Sequence, residues 1–246
     1  MPKAGEKTYF GAVGADHALN TLNKPFAGSD NGALMSQIAA IASLLPPAPS
    51  KLLDLGVGTG WTSLFYSRMG YEVVAQDISE EAITLAKRHQ RSAFGKSVRF
   101  IVSDYESMNY ESEFDCAVFF DSLHHAEDEV AALRSVYQVL KPGGILITSE
   151  PGKGHGASKQ AREAVEKFGV TERDMPPTLI IGAAKQAGFK HYKVYPDMGL
   201  IHKAFLKTDF SRPILNRLSA DPMRLALANY LVLRKSAYQG MVVLLK

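Results

Sequence analysis

The sequence predicts an α/β fold, a mostly parallel sheet with helices packed on both of its faces. Two observations predict it. From Lys51 onward, short apolar and β-branched runs alternate with helical patterns, which is how strands joined by helical crossovers read. The loop after the first run is G-x-G-x-G, at Gly56, Gly58 and Gly60, at the carboxyl end of a strand, where open α/β sheets present their ligands.

The elements follow in order. Strands read at KLLDL, YEVVAQD, VRFIVSD, FDCAVFF, GILITSE, FKHYKVY and GMVVLLK. Between them, TSLFYSRM stops at Gly70, and SEEAITLAKRHQRS has Glu80 and Glu81 near its start and Lys87, Arg88 and Arg91 near its end. That distribution matches the helix dipole. AEDEVAALRSVYQVL ends at Lys141-Pro142-Gly143-Gly144, where proline and two glycines break a helix. PPTLIIGAAKQAG opens on proline and closes at Gly188. Ahead of the sheet, DNGALMSQIAAIASLL reads as a capped helix followed by the proline-rich connector PPAPS. A single domain over 1–246 is expected: a helical extension over 1–50, a core over 51–197, a cap or insertion over 198–238 and a last strand over 239–246.

Composition narrows the function classes. A chain of 246 residues that is 46% hydrophobic can bury a full core. Its 28 Lys+Arg against 25 Asp+Glu leave +3, too little for a nucleic-acid footprint, so no nucleic-acid partner is expected. The single cysteine, Cys116, forms no internal disulfide and is expected to be buried and inert in mid-strand. The amino terminus lacks the apolar core of a secretory signal, and no uncharged apolar run reaches the roughly 18–20 residues a membrane span needs. A cytoplasmic chain without a transmembrane segment is the expectation.

The dinucleotide fingerprint wants a third glycine where Trp61 stands, and Gly60 arrives one residue early. Acids close the first three strands: Asp54, Asp77 and Asp104. A carboxylate at Asp77 suits the two hydroxyls of a ribose, which a dinucleotide and an adenosine cofactor both offer. An acceptor at Asp104 suits an exocyclic adenine amine. Each acid also reads as a turn or cap residue.

Taken together, LLDLGVGTG, VVAQDIS, VSDYESM, FDCAVFFDSLHH and LKPGGILITSEP, over residues 52–151, resemble the class I S-adenosylmethionine-dependent methyltransferases. The resemblance implies a three-layer Rossmann-like fold whose seven-stranded sheet runs 3-2-1-4-5-7-6, the last strand antiparallel. It implies that Asp54, Gly56, Gly58 and Gly60 hold the methionine part of the cofactor, Asp77 the ribose and Asp104 the adenine amine. Ile78 would pack on the adenine ring with Tyr105 beside it. This cofactor has no phosphates, so the loop can dispense with the dinucleotide glycine.

The acceptor should meet the methyl group at the end of the fourth strand, in FFDSLHHAED. His124, Asp121 and Glu150 are the candidate catalytic residues, His124 as a base near neutrality. His125 is expected to be a structural hydrogen-bonding residue, and Trp61, Tyr9 and Phe10 to be packing residues. The Asn-Pro-Pro-Tyr-like tetrapeptide of the family's base and glutamine amine methylators is absent here. His155 follows Glu150 closely, but no residues stand at metal-ligand spacing, so no metal is expected. The expected activity is methyl transfer to oxygen or nitrogen of a small molecule. The alternatives are a catalytically inactive S-adenosylmethionine-binding protein and, further off, a nicotinamide-dependent oxidoreductase. Lys203, Lys207, Arg212, Arg217, Arg224, Arg234 and Lys235 face only Asp209 and Asp221 in the cap, which suits an acidic acceptor, an anionic membrane surface or a solvated helical face.

Overall fold

The computed structural model describes residues 2–13, 21–26, 30–90, 98–205, 226, 230 and 238–246. In chain order these carry α1 (Pro2–Ala12), α2 (Asn31–Leu44), β1 (Lys51–Leu55), α3 (Trp61–Arg68), β2 (Glu72–Asp77), α4 (Glu80–Gln90) and β3 (Arg99–Val102). Then come β4 (Phe114–Phe120), a 3-10 turn (Leu123–His125), α5 (Glu129–Val139), β5 (Leu140–Ser149), α6 (Lys159–Phe168), α7 (Pro177–Ala187), β6 (His191–Pro196), α8 (Met198–Phe205) and β7 (Gly240–Leu245).

The strands form one sheet in the order β3-β2-β1-β4-β5-β7-β6. β1 pairs in parallel with β2 and β4, β2 with β3, and β4 with β5, whereas β7 runs antiparallel to β5 and β6. Side chains alternate across such a strand, so β1 and β4 each feed two cores. Leu53, Leu55, Ala117 and Phe119 join the cluster covered by Leu133 and Val136 of α5 and Ile180 of α7. Leu52, Cys116 and Val118 join the opposite cluster, with Ile41 of α2, Leu64 of α3 and Ile83 of α4. This is the expected three-layer Rossmann-like arrangement. The chain leaves β1 toward β2 on one side and returns to β4 on the other, so strand order reverses there and a crevice opens beyond their carboxyl ends.

All seven expected strands are present, and one boundary differs by more than two residues. Residues 141–144 do not break the chain between α5 and a later strand; they lie within β5. Phe114 pairs with Leu140, and the register then shifts before Cys116 pairs with Ile145. Gly143, at φ 78°, takes up that irregularity. α1, α6 and α8 carry no counterpart in the sequence reading. α1 lies hard against the end of α6: a Cβ on Gly5 would sit 2.4 Å from the Gly169 carbonyl oxygen. Ser158 caps α6 by accepting from the Ala161 amide. The side chains of the seven basic cap residues lie outside the described residues.

Candidate active site

The crevice holds a cavity of about 320 Å³. One end is the turn between β1 and α3. Gly56, Gly58 and Gly60 all take positive φ, from 51° to 78°, a backbone that side chains resist. Asp54 is buried at the end of β1 and accepts from Thr62 Oγ1 at 2.8 Å and Ser63 Oγ at 2.6 Å, which ties the strand to the first turn of α3. Asp77 ends β2 and accepts from the Gly58 amide at 2.7 Å and the Ser79 amide at 2.8 Å. It therefore fixes the glycine turn while facing the cavity. Thr59 Oγ1 is buried beside them without a hydrogen-bond partner, and Thr59 lines the cavity. A buried hydroxyl left unpaired is costly, and a polar ligand in the turn would satisfy it.

Burial pushes the Asp54 carboxyl up to about 6 against the hydrogen bonds of Ser63 and Thr62, and burial raises Asp77 too. For Asp54 the folded value exceeds the ordinary 3.8. The folded state then binds the proton more tightly, giving stability that is present below about pH 4 and lost as pH rises through about 6. Asp54→Asn should remove this loss. The unfolding free energy between pH 4 and 7 should fall more steeply in the parent chain, by about 2–3 kcal/mol. Parallel profiles would contradict the assignment.

The other end is built on the exit of β4. Asp121 takes φ 53°, a left-handed backbone that aspartate tolerates better than most residues. Its amide donates to the Ser149 carbonyl at 2.8 Å, and its side chain is on the cavity wall. The next residues wrap around Glu150. This buried carboxylate accepts from the amides of Ser122 (3.2 Å), Leu123 (2.9 Å) and His124 (3.3 Å) and from His124 Nδ1 (2.9 Å). A carboxylate accepts, so Nδ1 carries a proton, and the second ring nitrogen, Nε2, is turned toward Glu172 Oε2 at 3.5 Å.

Of the eleven site residues expected from sequence, Asp54, Gly56, Gly58, Asp77, Ile78, Tyr105, Asp121 and His124 line the cavity. Gly60, Asp104 and Glu150 stand off it. Gly60 turns the loop into α3, where a Cβ would meet the Phe100 ring at 2.7 Å. Asp104 is drawn into an ion pair with Lys3 of α1, Nζ to Oδ2 2.7 Å, and Lys3 also reaches Glu106 at 3.1 Å. Glu150 lies beneath the 3-10 turn as its hydrogen-bond hub. Cys116 is buried mid-strand, its thiol pushed up to about 12 by burial.

Several lining residues were read as packing or not at all. Trp61, an expected packing residue, meets Phe120 edge to face at 5.4 Å and also lines the cavity. Phe10 and Tyr9 of α1 line it as well, with the Phe10 ring over Gly58. Glu6 and Glu172 were not singled out. Glu6 accepts from the Thr171 amide at 2.7 Å and lies 3.4 Å from His125 Nδ1. Glu172 accepts from His155 Nε2 at 2.6 Å and lies 3.5 Å from His124 Nε2. His125 donates from Nδ1 to the Thr171 carbonyl at 2.6 Å. Burial opposes its charge, but Glu6 and Glu172 outweigh it and hold the imidazole up at about 9. Among the described residues, ligand-capable atoms of His124, His125 and Glu172 all lie within 4.8 Å of one another.

Residues 53–148 match the family model described as a methyltransferase domain. A ubiquinone biosynthesis O-methyltransferase from Xanthomonas axonopodis pv. citri is 32% identical over 111 residues, 44% of this chain and 46% of that enzyme. The chain thus spans under half the length of that curated relative. Among solved structures, the [4+2]-cyclase SpnF superposes with a TM-score of 0.67 at 20% identity, covering 99% of this chain and 95% of that one. A phosphoethanolamine N-methyltransferase 2 from Haemonchus contortus, in complex with S-adenosyl-L-methionine, superposes with a TM-score of 0.64 at 18% identity, covering 98% and 59%. These two likenesses show the fold.

Proposed function

We propose that this chain, whose residues 53–148 match a methyltransferase-domain family model, is a class I S-adenosylmethionine-dependent methyltransferase that methylates oxygen or nitrogen of a small-molecule acceptor. One observation carries the proposal: the glycine turn with Asp77 and the Asp121–His124 wall are two ends of a single cavity. The orphaned Thr59 hydroxyl and the left-handed glycine turn fit a polar cofactor. Asp54, Gly56 and Gly58 would hold its methionine part, Asp77 its ribose hydroxyls, and Ile78 and Tyr105 its adenine ring. Gly60 acts by shaping the turn and Asp104 by anchoring α1.

When bound, the cofactor supplies an electrophilic methyl group for in-line displacement by the acceptor's lone pair. The chain's own residues orient the acceptor and exclude water. His124, its tautomer fixed by Glu150, offers Nε2 to an acceptor proton, and Asp121 offers a hydrogen-bond acceptor on the same wall. α1 covers the opening, tied down at Lys3 and placing Phe10 over the turn. Among the described residues no helix is long and apolar enough to cross a membrane.

The test is to incubate the chain with the cofactor and a panel of phenols, aliphatic alcohols, amines and carboxylic acids, reading S-adenosylhomocysteine by mass spectrometry. Turnover with a hydroxyl or amine is expected. Tight cofactor binding without turnover on any acceptor would favour the inactive binding protein. Binding of a nicotinamide dinucleotide in place of S-adenosylmethionine would favour the oxidoreductase. The basic composition of residues 203–235 suits a phosphate- or carboxylate-bearing acceptor. Arg212→Gln or Arg217→Gln should then raise the acceptor KM at constant cofactor affinity.

A further inference from the structure

We propose that His124, His125 and Glu172 form a binding site for a divalent first-row transition cation on the acceptor side of the cavity. The three residues come from the β4 exit and the segment after α6, far apart in sequence, yet one ligand-capable atom from each lies within 4.8 Å of the others. His124 Nε2 and Glu172 Oε2 are 3.5 Å apart. A tetrahedral cation with bonds of about 2.0–2.1 Å separates its ligands by roughly 3.4 Å.

Each of the three residues also has the outer partner that a metal ligand requires. His124 gives its Nδ1 proton to Glu150, His125 gives its own to the Thr171 carbonyl, and Glu172 accepts from His155. Such contacts fix the tautomer and orientation of metal-bound imidazoles and carboxylates. Two imidazoles and one carboxylate select zinc, iron, manganese or cobalt over magnesium and calcium, which take oxygen ligands. Three protein ligands leave a coordination position open. All three residues line the cavity, as do Asp121 and Ser122.

The consequence for the acceptor rests on the methyl-transfer reading and deepens it. A cation here would bind an acceptor oxygen and favour its ionised form, so the acceptor class becomes hydroxylated molecules. His124 is then a ligand in the loaded protein and a proton acceptor in the metal-free one.

The proposal is tested by titrating chelator-treated protein with Co2+ and Zn2+, following visible Co2+ absorption and calorimetry, with S-adenosylmethionine affinity measured in parallel. One equivalent of Co2+ with the intense bands of a four- or five-coordinate site is expected, displaced by Zn2+. His125→Ala and Glu172→Gln should each weaken binding at least tenfold. His191→Ala, on the exposed face of β6, should leave it unchanged. Absence of such a site, or equal binding by all variants that retain the parent's circular dichroism, would overturn the proposal. Cofactor affinity separates the two failures: its loss strikes the methyl-transfer reading, whereas cation binding strikes or supports the present one alone.

Discussion

Asp77→Ala is expected to weaken S-adenosylmethionine binding about 10- to 150-fold, or about 1.5–3 kcal/mol, the range for losing hydrogen bonds to a desolvated carboxylate. Two effects combine. The ribose would lose its acceptor, and the Gly58 and Ser79 amides, which Asp77 now pairs, would lose theirs. The second effect loosens the glycine turn itself. Part of the folding cost is offset, because burial already disfavours the Asp77 charge. Binding should therefore suffer more than stability. Calorimetry that returned the parent affinity would end the ribose assignment. Asp104→Ala should cost less, because Asp104 acts through Lys3 and α1.

The second large effect is expected at His124. His124→Ala should lower kcat by about 10²- to 10⁴-fold, the usual range for a positioned acid–base group, while cofactor affinity changes little. The separation follows from geometry: His124 lies at the β4 exit with Asp121, away from the Asp77 end of the cavity. Glu150→Gln should give an intermediate loss, because the amide can still accept from the turn's backbone but no longer offers a charged partner to Nδ1. Unchanged turnover in both variants would remove the dyad from the reaction and leave Asp121 as the candidate base.

The strands were legible because β1, β4 and β5 are buried on both faces, and such strands read as unbroken apolar runs bounded by turn residues. The α4 and α7 helices were legible through their charges, proline and closing glycine. α6 was not: Ala161, Ala164, Val165 and Phe168 do fall on one helical face, but the rest of KQAREAVEKF is polar or charged and Ala161 is its one buried residue. α1 was missed for a related reason, since Gly5 and Gly11 argue against a helix and only contact with Gly169 explains Gly5.

Within the site, the glycine turn and its flanking acids were legible because one local segment builds them. What sequence did not reveal is what distant segments contribute. The Lys3–Asp104 ion pair, the Glu6–Thr171 contact and the approach of Glu172 to His124 each join residues separated by many elements. No local spacing encodes such contacts. The surroundings of the two histidines also come from distant segments: His124 is the more deeply buried and is held by Glu150, whereas His125 lies between Thr171 and Glu6.

The most direct measurement is a crystal structure of the chain with S-adenosylhomocysteine. The ribose hydroxyls are expected on Asp77, the amino-acid portion in the turn at Gly56 and Gly58, and the sulfur aimed along the cavity toward Asp121 and His124. A cofactor product bound outside this cavity, or with its sulfur turned away from the β4 exit, would contradict the assignment of both ends of the site.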